Sequence, residues 1–354
     1  MDKKKLVLFP MTRDLCTVVR FKHLLGAKGY TLLAAMVPSF MGLVGLDASK
    51  LDGGNPIGFP LSGYADSLVE DCDAIYLDYS PNLPAPSAYQ LVMDVAKKLG
   101  KDILLSRQLS VKLGLIPEYL PMSNQPIPIT LQECPVPVVS VLTQGHNTNQ
   151  FAFELALNEY FTTKGYQVAH ISPHNIGPLF GLAPYPDCLY ENREAYEKTL
   201  LLNQYIKETV TTTQPDLLII GIPGAIMKYN SQNLLGLGTL PYAVGNAIRS
   251  DVSVYCAHYA KNVKEYLQMV TNYCNYRLNS VPEIFDLANV TVSVDDNTTE
   301  LDYVTLPIRH VTQSLAEEEG LEKAYVLTGL AEGTLEKACA AVEDLLAGHV
   351  RYVL

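Results

Sequence analysis

The run Val138-Val139-Ser140-Val141-Leu142-Thr143-Gln144-Gly145-His146-Asn147-Thr148-Asn149-Gln150-Phe151 joins an apolar strand-like stretch to a helical one through a polar turn. A turn in that setting presents its own amides and those of the helix N-terminus, the arrangement with which phosphate loops cradle phosphate oxygens. The loop signature itself is missing. With Gln150 at the lysine position, Gln144 and Asn149 stand at the two glycines and Phe151 at the hydroxyl that would hold magnesium. Ordinary phosphoryl transfer would lose its main electrostatic elements without that lysine and hydroxyl. Thr143 to Gln150 therefore has three readings. It is a turn whose Asn147, Thr148 and Asn149 cap the helix, a loop that holds a nucleotide or another anion without hydrolysing it, or a working NTPase loop.

Asp216-Leu-Leu-Ile-Ile-Gly-Ile-Pro-Gly224 resembles the second phosphate-site strand of such folds, but Asp216 opens the strand instead of closing it. Ligands of open α/β sheets collect at the carboxyl edge, where Gly221, Pro223 and Gly224 fall and where glycine lets backbone approach a ligand. His170 and His174 follow a strand and, with His146, form a candidate metal trio on one rim. Asp187-Cys188 offers a thiol to the same rim. Arg13, in the turn after the first strand, is a candidate grip for a carboxylate or phosphate. That turn, Pro10 to Asp14, has no glycine and is no dinucleotide fingerprint. The loop Asp52 to Gly58 reads as a turn, and Glu317-Glu318-Glu319 as a solvated helix end.

The elements that must position these residues alternate along the whole chain, which predicts an α/β protein with mostly parallel sheets. Strands are expected at Lys5–Phe9, Thr31–Met36, Ala74–Leu77 and Asp102–Leu105, with helices at Leu15–Leu25 and Ala88–Leu99. Together they make an N-terminal Rossmann-like domain over residues 1–116. Six prolines fall between Pro117 and Pro137, too many for a packed helix or a central strand, so 117–137 is read as a linker. A second, P-loop-like α/β domain is expected over 138–354. Its strands are Val138–Leu142, Gln167–Ile171, Asp216–Ile222, Val252–Ala257 and Val290–Val294, and its helices Phe151–Lys164, Glu191–Thr211 and Val263–Arg277. A small α/β subdomain from about 298 to 354 would carry strands at Tyr303–Leu306, Ala324–Thr328 and Val350–Val353. Its helices would lie around Val311–Glu319 and at Leu335–Leu346, the latter closed by Gly348.

Four segments of the chain resemble the clostridial peptide maturation system proteins. They are Phe9-Pro10-Met11-Thr12-Arg13-Asp14-Leu15-Cys16, Asp52-Gly53-Gly54, Gln144 to Phe151, and Ile219-Ile220-Gly221-Ile222-Pro223-Gly224. The likeness runs on to Asp286-Leu287-Ala288-Asn289-Val290. That family accompanies radical SAM maturases and small Cys-rich precursor peptides. The resemblance implies an accessory, binding role in the maturation of a ribosomally synthesised and modified peptide, with the precursor peptide or the maturase as partner. The domain plan is also similar to a broader group that pairs a Rossmann-like with a P-loop domain and carries Gly-Lys where this chain has Asn149-Gln150. On that side the alternative is a nucleotide-dependent ligase or kinase-type enzyme with an atypical phosphate loop, and a nucleotide is the one cofactor suggested.

Composition narrows the partners. The chain has 354 residues, 48% apolar and 18% charged, enough for cores in two ordinary domains. No apolar run approaches the roughly 20 residues a spanning helix needs, and the start has no secretion-signal pattern. A cytoplasmic protein without membrane partners is expected. Seven cysteines without a C-x-x-C pair fit reduced thiols. A formal charge of −11 disfavours nucleic acid. Twenty-two tyrosines with no tryptophan favour broad contact surfaces for a peptide, a protein partner or a second copy of the chain.

Overall fold

The first apolar run forms β1 (Lys4–Phe9), whose last four side chains are buried. The computed structural model describes residues 3–80, 83, 85–260, 263–294, 300–318 and 326–350. The chain divides into two units, one of Met1–Leu120 with His174–Leu182, the other of Pro121–Pro173 with Ala183–Leu354.

In the first unit β1 is followed by α1 (Arg13–Arg20), α2 (Lys22–Leu25), β2 (Tyr30–Val37), α3 (Ser49–Asp52), β3 (Ser62–Gly63) and α4 (Asp66–Asp71). Next come β4 (Ala74–Leu77), α5 (Pro86–Lys98), β5 (Asp102–Leu105) and α6 (Arg107–Lys112). The five strands are parallel in the order β3-β2-β1-β4-β5, the Rossmann-like arrangement expected. The helix expected over Leu15–Leu25 is broken at Phe21, which takes φ −101° and ψ +23°. Gly100, at φ +67°, supplies the left-handed residue just past α5.

The loop from Asp47 to Pro60 is built around carboxylates. Asp47 accepts backbone N–H bonds from Ser49, Ile57, Gly58 and Phe59 at 2.7–3.2 Å. Burial pushes its carboxyl up, but the amides, led by Ile57, outweigh that and hold it well below the ordinary value of 3.8. A carboxyl lowered by folding stabilises above its unfolded pKa, and that contribution disappears as pH falls. Asp47→Asn should therefore melt below the parent from pH 5 to 7, with the gap shrinking from about pH 4 downward. Equal melting temperatures at pH 7 would show that the amide bonds add nothing. Asp52 forms a bidentate pair with Arg20 at 2.7 and 2.8 Å and also takes the Gly54 N–H.

The second unit opens with β6 (Val138–Thr143), α7 (Gln150–Thr163), β7 (Val168–Ser172), β8 (Ala183–Pro184) and α8 (Ala195–Thr213). It continues through β9 (Leu217–Ala225), α9 (Thr239–Ala247), β10 (Val252–His258), α10 (Val263–Arg277) and β11 (Pro282–Ala288). The last elements are β12 (Val290–Val294), β13 (Leu301–Thr305), α11 (Ile308–Glu317), β14 (Val326–Leu327) and α12 (Thr334–Val350). Seven strands form one parallel sheet, β14-β11-β10-β6-β9-β7-β8. β6, β9 and β10 are its fully covered centre, which explains why they read as uninterrupted apolar runs. β12 and β13 form a separate antiparallel pair.

Several expectations are corrected here. β11 is a central element that the sequence reading passed over, because Pro282, Glu283 and Asp286 interrupt its apolar pattern. The long helix starts at Ala195, and Glu191 before it is buried in an ion pair with Arg193. Gly348 lies within α12 and does not close it, and Val350 is helical; the rest of the strand expected at 350–353 lies outside the described residues. Glu318 is not simply solvated, since its Oε1 accepts the Val263 N–H at the start of α10. Part of the Pro-rich stretch, after residue 120, is bonded to α8 and to Arg193 just before it. Asn203 bonds both the N–H and the carbonyl of Gln132 at 2.8 Å, and Arg193 reaches the Ser123 carbonyl.

Candidate functional site

β6 is the strand at which the second sheet changes direction. The chain goes from it to β7 and β9 on one side and to β10 and β11 on the other. The carboxyl end of such a strand is where open α/β sheets bind ligands, and the loop Gln144–Asn149 lies there.

That loop is held from behind by its own side chains and by β10. Thr143 Oγ1 accepts the Gly145 N–H at 3.0 Å and lies 2.8 Å from both the Gly145 carbonyl and the Thr148 hydroxyl. Gln144 donates its N–H to the Cys256 carbonyl and accepts the His258 N–H through Oε1, both at 2.8 Å. His258 Nε2 donates to the His146 carbonyl at 2.7 Å. Asn147 takes φ +59° and Gly145 φ +151°, and a Cβ added at Gly145 would meet nothing within 4 Å. The carbonyls of Gly145 and His146 are thus bonded to Thr143 and His258, and the backbone at Gly145 faces open space.

Asn149 is the N-cap residue of α7 but makes no side-chain cap bond. Its Nδ2 instead donates to Asp286 Oδ2 at 2.9 Å, and Asp286 Oδ1 accepts the Gly329 N–H at 2.6 Å. Asp286 is fully buried on β11. α7 has no acidic residue in its first turn, where the positive end of the helix dipole favours an anion.

Gln150 explains the missing lysine. Its Nε2 donates to the carbonyls of Val141 and Ile222, both at 2.8 Å, so the side chain ties β6 to β9 beneath the loop. It is 6% exposed and does not reach the loop's open side. One turn on, Glu154 is fully buried and accepts the Ser172 hydroxyl at 2.6 Å, with His170 Nε2 at 3.3 Å. Gly221 packs against this carboxylate so closely that a Cβ would overlap its Oε1. Glycine is required at Gly221 for that approach and at Gly224 for its φ of +76° beside the register shift between β6 and β9. Pro223 is buried between them.

The other candidates fall elsewhere. His146 contributes its carbonyl to His258, His170 is turned into the core against Glu154, and His174 belongs to the first unit. Among the described residues no three His, Cys, Asp or Glu side chains are placed to hold a metal. Burial, followed by the Glu191 charge, pushes the Cys188 thiol up to about 11, too high for a nucleophile near neutral pH. Burial, then Asp286 and Glu154, raises the Cys256 thiol beneath the loop well above its ordinary value. Asp216 is a turn residue whose carboxylate accepts the Gln167 N–H. Arg13, in the first unit, donates to the Asp52 carbonyl. Sequence reading missed Asp286 and His258, which position the loop from strands β11 and β10. The one available signal was a single aspartate inside an otherwise apolar run.

No family model matches the chain. No curated protein matches it either. Among solved structures, a DUF1611 family protein from Anabaena variabilis is 12% identical, covers 97% of this chain and all of its own, and has a TM-score of 0.59. That likeness shows the fold over nearly the whole chain. A pseudomurein peptide ligase type C from Methanothermus fervidus, 13% identical, covers 80% of this chain and 44% of its own at a TM-score of 0.27, too low to bear on this chain. The comparisons give no support to a role in peptide maturation. No helix among the described residues is long and apolar enough to cross a membrane.

Proposed function

We propose that the loop 144–149 and the first turn of α7 bind the phosphate of a nucleotide or a similar phosphorylated ligand, without phosphoryl transfer of the ordinary P-loop kind. The observation that carries this reading is the place of the loop at the strand where the sheet reverses, with the Asn149 side chain bonded to Asp286 instead of capping α7. Backbone amides at that place supply an anion site that needs no lysine. The residues that would hold magnesium and neutralise a leaving phosphate do not fit that task, since Phe151 replaces the hydroxyl and Gln150 is committed to strand carbonyls. The protein on this reading binds, and any chemistry on the ligand comes from groups outside the loop.

Calorimetry and thermal shift against ATP and GTP, each with and without magnesium, test it. Gly145→Asp places a carboxylate in the open space beside the loop and strains the backbone there. It should lower affinity at least about tenfold, a loss of about 1.4 kcal/mol. Nucleotide binding unchanged in this variant, or absent from the parent protein, would sink the reading.

A further inference from the structure

Between β9 and α9 the backbone adopts a form that leucine resists. Leu235, Gly236, Leu237 and Gly238 take φ of +46°, +68°, +53° and +70° in succession, a complete left-handed turn. Each non-glycine residue there is strained, and such residues normally occur singly. Burial does not offset this strain at Leu237, which is 58% exposed.

Backbone contacts hold the turn. The Leu237 N–H donates to the Leu234 carbonyl at 2.7 Å, and Thr239 Oγ1 donates to the Gly236 carbonyl at 2.8 Å. Gly238 sits so close to the Ile226 carbonyl oxygen that a Cβ there would overlap it. Ile226 is also the connection to the loop after β6, because its N–H donates to the Thr143 carbonyl at 3.3 Å. Thr143 in turn holds Gly145 and Thr148. One residue thus meets the candidate phosphate loop through its N–H and the strained turn through its carbonyl.

We infer that residues 226–238 are a switch coupled to the β6–α7 loop, in which a left-handed and a relaxed form of the turn exchange and a phosphate ligand favours the left-handed one. The inference rests on the proposed phosphate site. A ligand that fixes Thr143 fixes Ile226, and Ile226 in that position supplies the surface on which Gly238 packs. Its differential contact with the two forms is what biases them.

Hydrogen exchange on the full chain, with and without inorganic pyrophosphate, tests the coupling. Pyrophosphate should slow exchange in 144–152 and, together with it, in 226–239, by roughly threefold or more. Leu237→Asn should protect 226–239 in the absence of pyrophosphate and shrink the added protection, since asparagine tolerates the left-handed region and the site is exposed. Gly238→Ala should uncouple the two segments. Protection confined to 144–152 would overturn the switch and keep the phosphate site, whereas protection of neither would overturn both. A Leu237→Asn protein that behaves as the parent would remove strain as the gate.

Discussion

Asp286→Ala is expected to destabilise the second unit by about 3 kcal/mol, lowering its melting temperature by about 6–12 °C. The carboxylate is fully buried, and bonds to it from the Gly329 N–H and from Asn149 Nδ2 join the turn after β14, β11 and the start of α7. Truncation removes the acceptor for both donors and leaves a cavity. The same variant should bind nucleotide more weakly, for a different reason. Released from Asp286, Asn149 becomes an ordinary N-cap and competes for the α7 amides that the phosphate uses. Adding Asn149→Ala to Asp286→Ala should therefore restore affinity while leaving stability low. Calorimetry and melting on the three proteins separate these effects, and a double variant that binds no better than Asp286→Ala would refute the role given to Asn149.

Gly221→Ala is the second large effect. The new methyl would overlap Glu154 Oε1 and lie 2.7 Å from the Pro173 ring. Glu154 has no room to retreat, being fully buried and bonded to Ser172. Overpacking of this kind costs about 1–3 kcal/mol, and here a buried carboxylate must also leave its donor. The double variant Gly221→Ala/Glu154→Ala should cost less than the sum of its parts, because the second change removes the atom the first collides with. Strict additivity in denaturant unfolding would show that the contact is not the cause.

The architecture could be read from the chain because its central strands are continuous apolar runs, such as Leu217 to Ile222, divided by helices with clear stop signals such as Gly100 and Gly165. β11 escaped because a buried aspartate in a strand looks like a loop residue until its partners are known. The loop after β6 was found from its setting, but its workings were hidden. Nothing in the sequence indicates that Asn149 would turn away from the helix it precedes, or that Gln150 would bond strand carbonyls, since both depend on neighbours 72 and 137 positions distant. The left-handed turn was equally invisible. The glycines of a Leu-Gly-Leu-Gly string signal a turn, but not that its leucines would share the left-handed form or that Gly238 would meet the Ile226 carbonyl.

The division of the chain has a consequence for its synthesis. Residues 174–182, with Ile176, Leu179, Phe180 and Leu182 buried, belong to the first unit although they are translated after β6, α7 and β7 of the second. On the ribosome, then, the first unit lacks its final piece until part of the second has emerged. No single cut in the gene therefore separates the two units into complete halves.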